Sequence, residues 1–156
     1  MATPIGPDQC GDMLARRLAE QATVCERIRD LSEQQQKYVG ERREAELLDL
    51  LSGKQRLIDQ HETLMRKTQE LRERWETERP RAAPATRDKV EKAWERLRDV
   101  LNEVVRLEDA SREMLRDSRD RVSEDISRLQ RGKIANKAYG GGALPRPRAR
   151  FSDKQG

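Results

Sequence analysis

Leucine recurs at every seventh position through the middle of the chain, and a second apolar row follows it. The first row is Leu50, Leu57, Leu64 and Leu71. The second row and its extensions are Leu51, Ile58 and Met65, with Leu47 and Trp75 on the same side. On a helix of 3.6 residues per turn these positions form one apolar stripe. The pattern predicts a helix over 43–78 whose stripe forms the core against partner helices.

The stretch before it has a weaker apolar spacing of three and four residues. This spacing predicts a first helix over 11–39. Residues 1–10 hold two prolines and a glycine, which predicts a disordered N-terminus. Gly40 either ends the first helix in a turn or lies inside a continuous helix, because one interior glycine costs only about 1 kcal/mol relative to alanine.

The clearest break in the chain is the proline-containing segment 79–85, RPRAAPA. A third helix is predicted over 86–131, with Thr86 as its N-cap and Gly132 ending it. Its predicted core positions are Trp94, Leu97, Leu101 and Val104.

These elements predict an all-α fold, a coiled-coil-like antiparallel bundle of three long helices over 11–131. Ala, Glu, Lys, Leu and Arg make up about half of the chain, a composition typical of long helices. Lys54, His61 and Thr68 interrupt the seam of the second helix, which favours a bundle over a strict two-stranded zipper. An exposed part of the stripe could also be covered by a second copy of the chain, so the sequence also allows a homo-oligomer.

Charge is concentrated at the C-terminal end. From Lys133 onward the chain has six basic residues and one acidic residue, whereas the body is almost neutral. Residues 132–156 also hold three consecutive glycines and PRPRAR. We therefore expect a basic, flexible tail, which is either a partner-docking segment or a solvated end.

Little in the chain suggests catalysis, a cofactor or a metal site. His61 is the only histidine. With Cys10 at the start of the first helix and Cys25 inside it, the two thiols are about four turns apart, too far to form a disulfide bond within one chain. We interpret His61 as a boundary residue and the thiols as reduced, as in the cytoplasm. There is no long apolar run for a membrane span. The tail lacks the interleaved aromatics of nucleic-acid binders, so we expect protein partners instead.

Two stretches of the chain resemble the FlgN family of flagellar export chaperones. LLDLLSGKQRLIDQ, with its continuation through Leu64, Leu71 and Trp75, is similar to the paired leucines and K-x-x-L-I of the family's second helix. GKIANKAYGGG followed by RFSDKQG is similar to its C-terminal G-K…A-Y-G and F-x-D-K-x-G pattern. The resemblance covers 11–156, and PRPRAR is a departure from it.

The resemblance implies a small cytoplasmic type III secretion chaperone. Such proteins bind hook–filament junction proteins and deliver them to the export gate during flagellum assembly. The family binds substrate through its C-terminal helix, which implies that Val122, Ile126, Leu129 and Ile134 contact the partner here. An aromatic residue after that helix contacts export-gate components, and Tyr139 matches it.

A second hypothesis does not use the resemblance. The same helices would also suit a non-enzymatic coiled-coil scaffold or adaptor, whose basic tail binds an acidic partner or nucleic acid.

Overall fold

The protein is a bundle of three long helices in a computed structural model that describes residues 5–139, with side chains as far as Lys133. In chain order the elements are α1 (Pro7–Gly40), α2 (Glu44–Glu78), a single turn of 3₁₀ helix (Arg79–Arg81) and α3 (Pro84–Tyr139). The predicted all-α fold with three helices is confirmed. The chain divides into two units, Met1–Arg112 and Glu113–Gly156.

α1 and α2 run antiparallel within the first unit. Near one end, Gln21 Nε2 donates to Thr68 Oγ1 over 3.5 Å. Farther along, Lys54 Nζ donates to Gln35 Oε1 over 2.8 Å. Residues later in α1 therefore meet residues earlier in α2, as the short connection between the helices requires.

α3 runs parallel to α1. Lys89 Nζ lies 3.4 Å from Asp12 Oδ1, and Gln36 Nε2 donates to the carbonyl of Leu107 over 3.3 Å. Residue numbers therefore rise together along the two helices. Because α2 is antiparallel to α1, α3 also runs antiparallel to α2, which gives an up-down-up bundle.

α1 supplies the largest share of the core of the first unit. Its buried apolar members are Cys10, Leu14, Leu18, Ala22 and Cys25 from α1, Trp75 and Ala82 from the end of α2 and the loop, and Val90, Leu97 and Val100 from α3. Partly buried Leu71, Trp94, Leu101 and Val104 pack against this cluster. The helix with the weaker apolar pattern thus supplies half of this buried cluster, more than either of the other helices.

The paired stripe of α2 is less buried than its sequence predicts. Leu50 is buried, whereas Leu47, Leu57, Ile58 and Leu64 are half-buried. The core prediction is wrong for Leu51 and Met65, which are 39% and 44% exposed. The stripe is two rows wide, and a three-helix bundle covers a narrower arc of each helix, so the second row stays at the edge.

α1 begins earlier than the prolines suggest. Pro7 occupies the first helical turn, where its missing N–H is not needed and its fixed φ favours the helix. Cys10 N–H donates to Gly6 O over 2.9 Å, so the predicted disorder is wrong for Pro7–Cys10. Asp8, in the first turn of α1, accepts a 2.7 Å hydrogen bond from the backbone N–H of Ala83.

The connection from α1 to α2 is a turn, which decides between the two alternatives at Gly40. Arg43 N–H donates to Tyr38 O over 3.0 Å, and Arg42 N–H donates to Val39 O over 3.3 Å. This is the Schellman pattern, which places its left-handed residue at Arg42 (φ 56°). Gly40 is the last residue of α1.

The third helix is longer at both ends than the sequence predicts. α3 begins at Pro84, and Thr86 N–H donates to Ala83 O over 3.0 Å, so Thr86 lies in the first turn and is not the N-cap. α3 also continues through Gly132 to Tyr139. An interior glycine costs only about 1 kcal/mol, which a long helix tolerates. Residues 140–156 of the predicted flexible tail lie outside the described residues.

Candidate partner-binding site

An uncovered apolar row follows the distal half of α3. Val122 is 55% exposed, Ile126 44% and Leu129 66%, and Leu115 in the same register is 52% exposed. Steps of seven, four and three residues place these side chains on one face of a helix. Single exposed apolar residues are common, but a continuous row on one face indicates a binding surface.

Arg128 forms ion pairs within this half of α3. Arg128 lies 3.8 Å from Glu124 and 3.9 Å from Asp125. Ion pairs three or four residues apart support an isolated helix by a few tenths of a kcal/mol each. The charged face can therefore remain in water, whereas the apolar row gains most from a partner.

Two of the predicted partner-binding residues lie near the end of α3. Ile134 and Tyr139 belong to the helix, with Tyr139 as its last residue. Their side chains lie outside those described, so the partner contacts expected of them stay predictions. Leu115 was not among the predicted site residues, although its spacing from Val122 could have identified it.

A polar cluster joins all three helices inside the bundle. Lys54, whose side chain is only 7% exposed, donates to Gln35 and forms a close ion pair with Glu108. Ser32 Oγ lies 3.1 Å from the same Glu108 oxygen. The cluster therefore connects α1, α2 and α3 at one level of the bundle through polar contacts.

The cluster was missed as a unit because its members come from three distant segments. Lys54 was recognised as a polar interruption of the apolar seam, and Glu108 falls in the same register as the apolar positions of the third helix. Two opposite charges at core positions of neighbouring predicted helices can indicate a buried ion pair between those helices. Whether the two residues pair depends on the axial register of α2 against α3, which the sequence does not reveal.

The remaining reactive side chains are separate from one another. His61 is half-buried and its Nε2 has no hydrogen-bond partner among the described residues; burial lowers its pKa. Burial raises the pKa of the Cys10 thiol and raises that of Cys25 to about 11. Both thiols are free, and they are protonated near neutral pH.

Within residues 5–139, no His, Cys, Asp and Glu side chains are grouped as a metal ion requires. Over the same part of the chain, no helix combines the length and the apolar character needed to cross a membrane. The arrangement that does stand out is an apolar row on a long helix of an α-helical bundle. Those features are typical of helical protein-binding modules.

Comparison with known families agrees with this class. The family model described as FlgN protein matches residues 12–146, and the chain belongs to the FlgN family. The family consists of flagellar export chaperones, which act in flagellum assembly. No curated protein and no solved structure matched the chain.

Proposed function

We propose that this protein binds hook–filament junction proteins in the cytoplasm and delivers them to the flagellar type III export gate. Membership of the FlgN family supports the general activity. The observation that carries the assignment of the site is the exposed row on distal α3, formed by Val122, Ile126 and Leu129.

The row suits an amphipathic helix at the end of a junction protein. Such a helix would place its own apolar side chains along Val122, Ile126 and Leu129 and hide both surfaces from water. Full burial of one aliphatic side chain is worth about 1.5–3 kcal/mol, so a few such contacts can hold a partner reversibly. Covering an aggregation-prone helix in this way is what an export chaperone needs to do.

The end of the same helix would serve delivery. Ile134 extends the segment assigned to the substrate, and Tyr139 is the aromatic residue assigned to contact with the export gate. Both assignments come from the resemblance to the family. Separate residues for substrate and gate would allow both to be held on one helix during transfer.

The test is the affinity for a purified junction protein, measured by calorimetry, with Val122→Glu. Because a charge then opposes burial of the row, we expect affinity to fall by roughly tenfold or more. Ser127→Glu is the matched control, since Ser127 is exposed, lies away from the row and gains the same charge. Equal affinities for the two variants would contradict the proposed site.

Delivery is tested separately with Tyr139→Ala. We expect this variant to keep its affinity for the junction protein but to reduce secretion of that protein by cells. A variant that secretes normally would remove Tyr139 from gate contact. A loss of junction-protein binding would instead assign Tyr139 to the substrate site.

A further inference from the structure

The seam between α2 and α3 on the side away from α1 is an uncovered groove. On α2, Leu51, Ile58, Met65 and Arg72 follow one another at seven-residue intervals and share one side of the helix. The guanidinium of Arg72 lies 4.7 Å from the centroid of the Trp94 ring. Because Trp94 belongs to α3, this row of α2 faces the α2–α3 seam.

α3 contributes a matching row. Trp94, Leu101 and Val105 are separated by seven and four residues, so they lie on the same side of α3. The contacts of α3 with α1 use another side, for example Arg96, which lies 2.7 Å from Glu26. α1 therefore does not cover the outer side of these two rows, where Leu51, Met65 and Val105 are exposed.

Exposure of large apolar side chains in the bundle is confined to α2 and α3. In the described part of the first unit these residues are Leu48, Leu51, Met65 and Val105, and none of them belongs to α1. Val105 is 55% exposed and Met65 44%. A three-helix bundle with one apolar seam left open has the shape that a fourth helix completes.

One end of this seam carries positive charge around two tryptophans. A pocket of about 510 Å³ at this end is lined by Trp75 and Trp94 together with Arg79, Arg87 and Arg98. The charged residues are Arg72, Arg79, Arg87 and Arg98, against Glu76 and Glu91. None of the four arginines forms an ion pair with a carboxylate among the described residues.

We propose that the α2–α3 seam docks an amphipathic helix of a partner protein, with acidic residues at the end that meets these arginines. The apolar rows supply the contact area, and the unpaired guanidinium groups supply the charge that selects carboxylates. Acidic residues are favoured in the first turn of a helix, so we expect the N-terminus of the partner helix at the tryptophan end. This surface is distinct from the distal row of α3 and does not depend on the proposed function.

The test uses intrinsic fluorescence, because the only two tryptophans of the chain line the groove. The probe is a synthetic helical peptide of about five turns, with leucines at three- and four-residue steps and glutamates in its first two turns. The control peptide carries lysine in place of glutamate. We expect a saturable fluorescence change with the glutamate peptide only, weakening as salt is added.

Charge reversal in the full-length protein locates the binding. Arg87→Glu combined with Arg98→Glu should lower the affinity for the glutamate peptide by roughly tenfold or more. Arg16→Glu combined with Arg27→Glu, at exposed positions on α1, is the control with the same change of charge. The inference is wrong if the peptide causes no change, if both peptides bind equally or if the two double variants lose equal affinity.

Two further measurements separate the other outcomes. The first is the oligomeric state, measured by analytical ultracentrifugation. If the protein is a dimer and the double variant Met65→Glu with Val105→Glu is a monomer, the seam binds a second copy of the chain, and the proposed occupant is wrong. Val122→Glu should leave peptide binding unchanged. If Val122→Glu abolishes peptide binding, the peptide binds the distal row of α3, and a separate surface at the seam is refuted. If the protein fails to bind the junction protein but still binds the peptide, only the proposed function is contradicted.

Discussion

Gly11 lies directly against the indole of Trp75. A Cβ placed on Gly11 would come within 2.8 Å of Trp75 Cζ3 and would also collide with the Thr86 methyl group. The absence of a side chain at this one position lets α1, α2 and the start of α3 meet closely. Both ring and methyl belong to side chains that are themselves buried, so neither can move aside cheaply.

We therefore expect Gly11→Ala to lower the free energy of unfolding by about 1–3 kcal/mol, because overpacking outweighs the better helix propensity of alanine. Gly53→Ala is the control, since nothing lies within 4 Å of a Cβ at Gly53. That substitution should stabilise the protein by up to about 1 kcal/mol. Urea denaturation of both variants checks the prediction, and stabilisation by Gly11→Ala would contradict it.

The ion pair of Lys54 and Glu108 is unequal in burial. The Lys54 side chain is 7% exposed, whereas that of Glu108 is 33% exposed. Glu108→Ala leaves a buried cation without its carboxylate and should cost about 3–5 kcal/mol. Lys54→Met leaves a carboxylate that water can reach and should cost only about 1 kcal/mol.

Chemical denaturation of the two variants gives the comparison, and Lys54→Met with Glu108→Leu serves as the control. The double variant replaces the pair by apolar groups, so it should lose less stability than Glu108→Ala alone. Equal costs for the two single variants would show that the burial of the two charges does not decide their contribution.

His61 should make stability depend on pH near neutrality. Burial lowers its pKa in the folded protein below the ordinary value of 6.5. Between these two pKa values the unfolded chain binds more protons, so stability falls as pH falls through about 6.5. Denaturation between about pH 5.5 and 7.5 should show this slope in the wild type, and a flatter one in His61→Gln. An unchanged slope in the variant would assign the effect to other groups.

Arg42 adopts a left-handed conformation that glycine accepts without strain. Its φ of 56° costs an L-residue about 1–2 kcal/mol, of which Arg42→Gly should recover a part. Glu41, in the same turn, has an ordinary φ of −88°, so Glu41→Gly should not stabilise. Thermal melting of the two variants tests the turn, and a lower melting temperature for Arg42→Gly would contradict it.

The distal half of α3 should contribute little to the stability of the first unit. All described side chains from Leu115 to Lys133 are exposed. A chain ending at Met114 should therefore unfold with nearly the same Tm, since even 1 kcal/mol would shift the Tm by about 4–8 °C in a domain of this size. A fall of that size, measured by circular dichroism, would contradict this prediction.

The sequence predicted the number of helices and the break between the second and third, because both signals are local. Apolar residues at three- and four-residue steps mark a helix whatever it packs against, and the prolines of 79–85 interrupt it. Helix ends were less accurate. Pro7 and Gly132 were interpreted as breakers, but one starts α1 and the other is tolerated inside α3.

The depth of burial was decided by tertiary structure. The pattern of the leucine-rich α2 predicts that this helix is the centre of the fold. Yet Leu51 and Met65 are exposed, while Leu14 and Leu18 of α1 are almost fully buried. A helical pattern identifies which face is apolar, but not whether one or two neighbours will cover it. That depends on how the helices are arranged around one another.

The candidate site was also predictable from the sequence only in part. Val122, Ile126 and Leu129 are predictable as one face of a helix from their spacing alone. Only the folded chain shows that these side chains remain exposed while Lys54 is buried, because exposure is a property of what packs nearby. The sequence by itself therefore determined the helices, their apolar faces and the family. The tertiary structure decided which faces form the core and which remain free to bind, since each helix can bury only the arc that its neighbours cover.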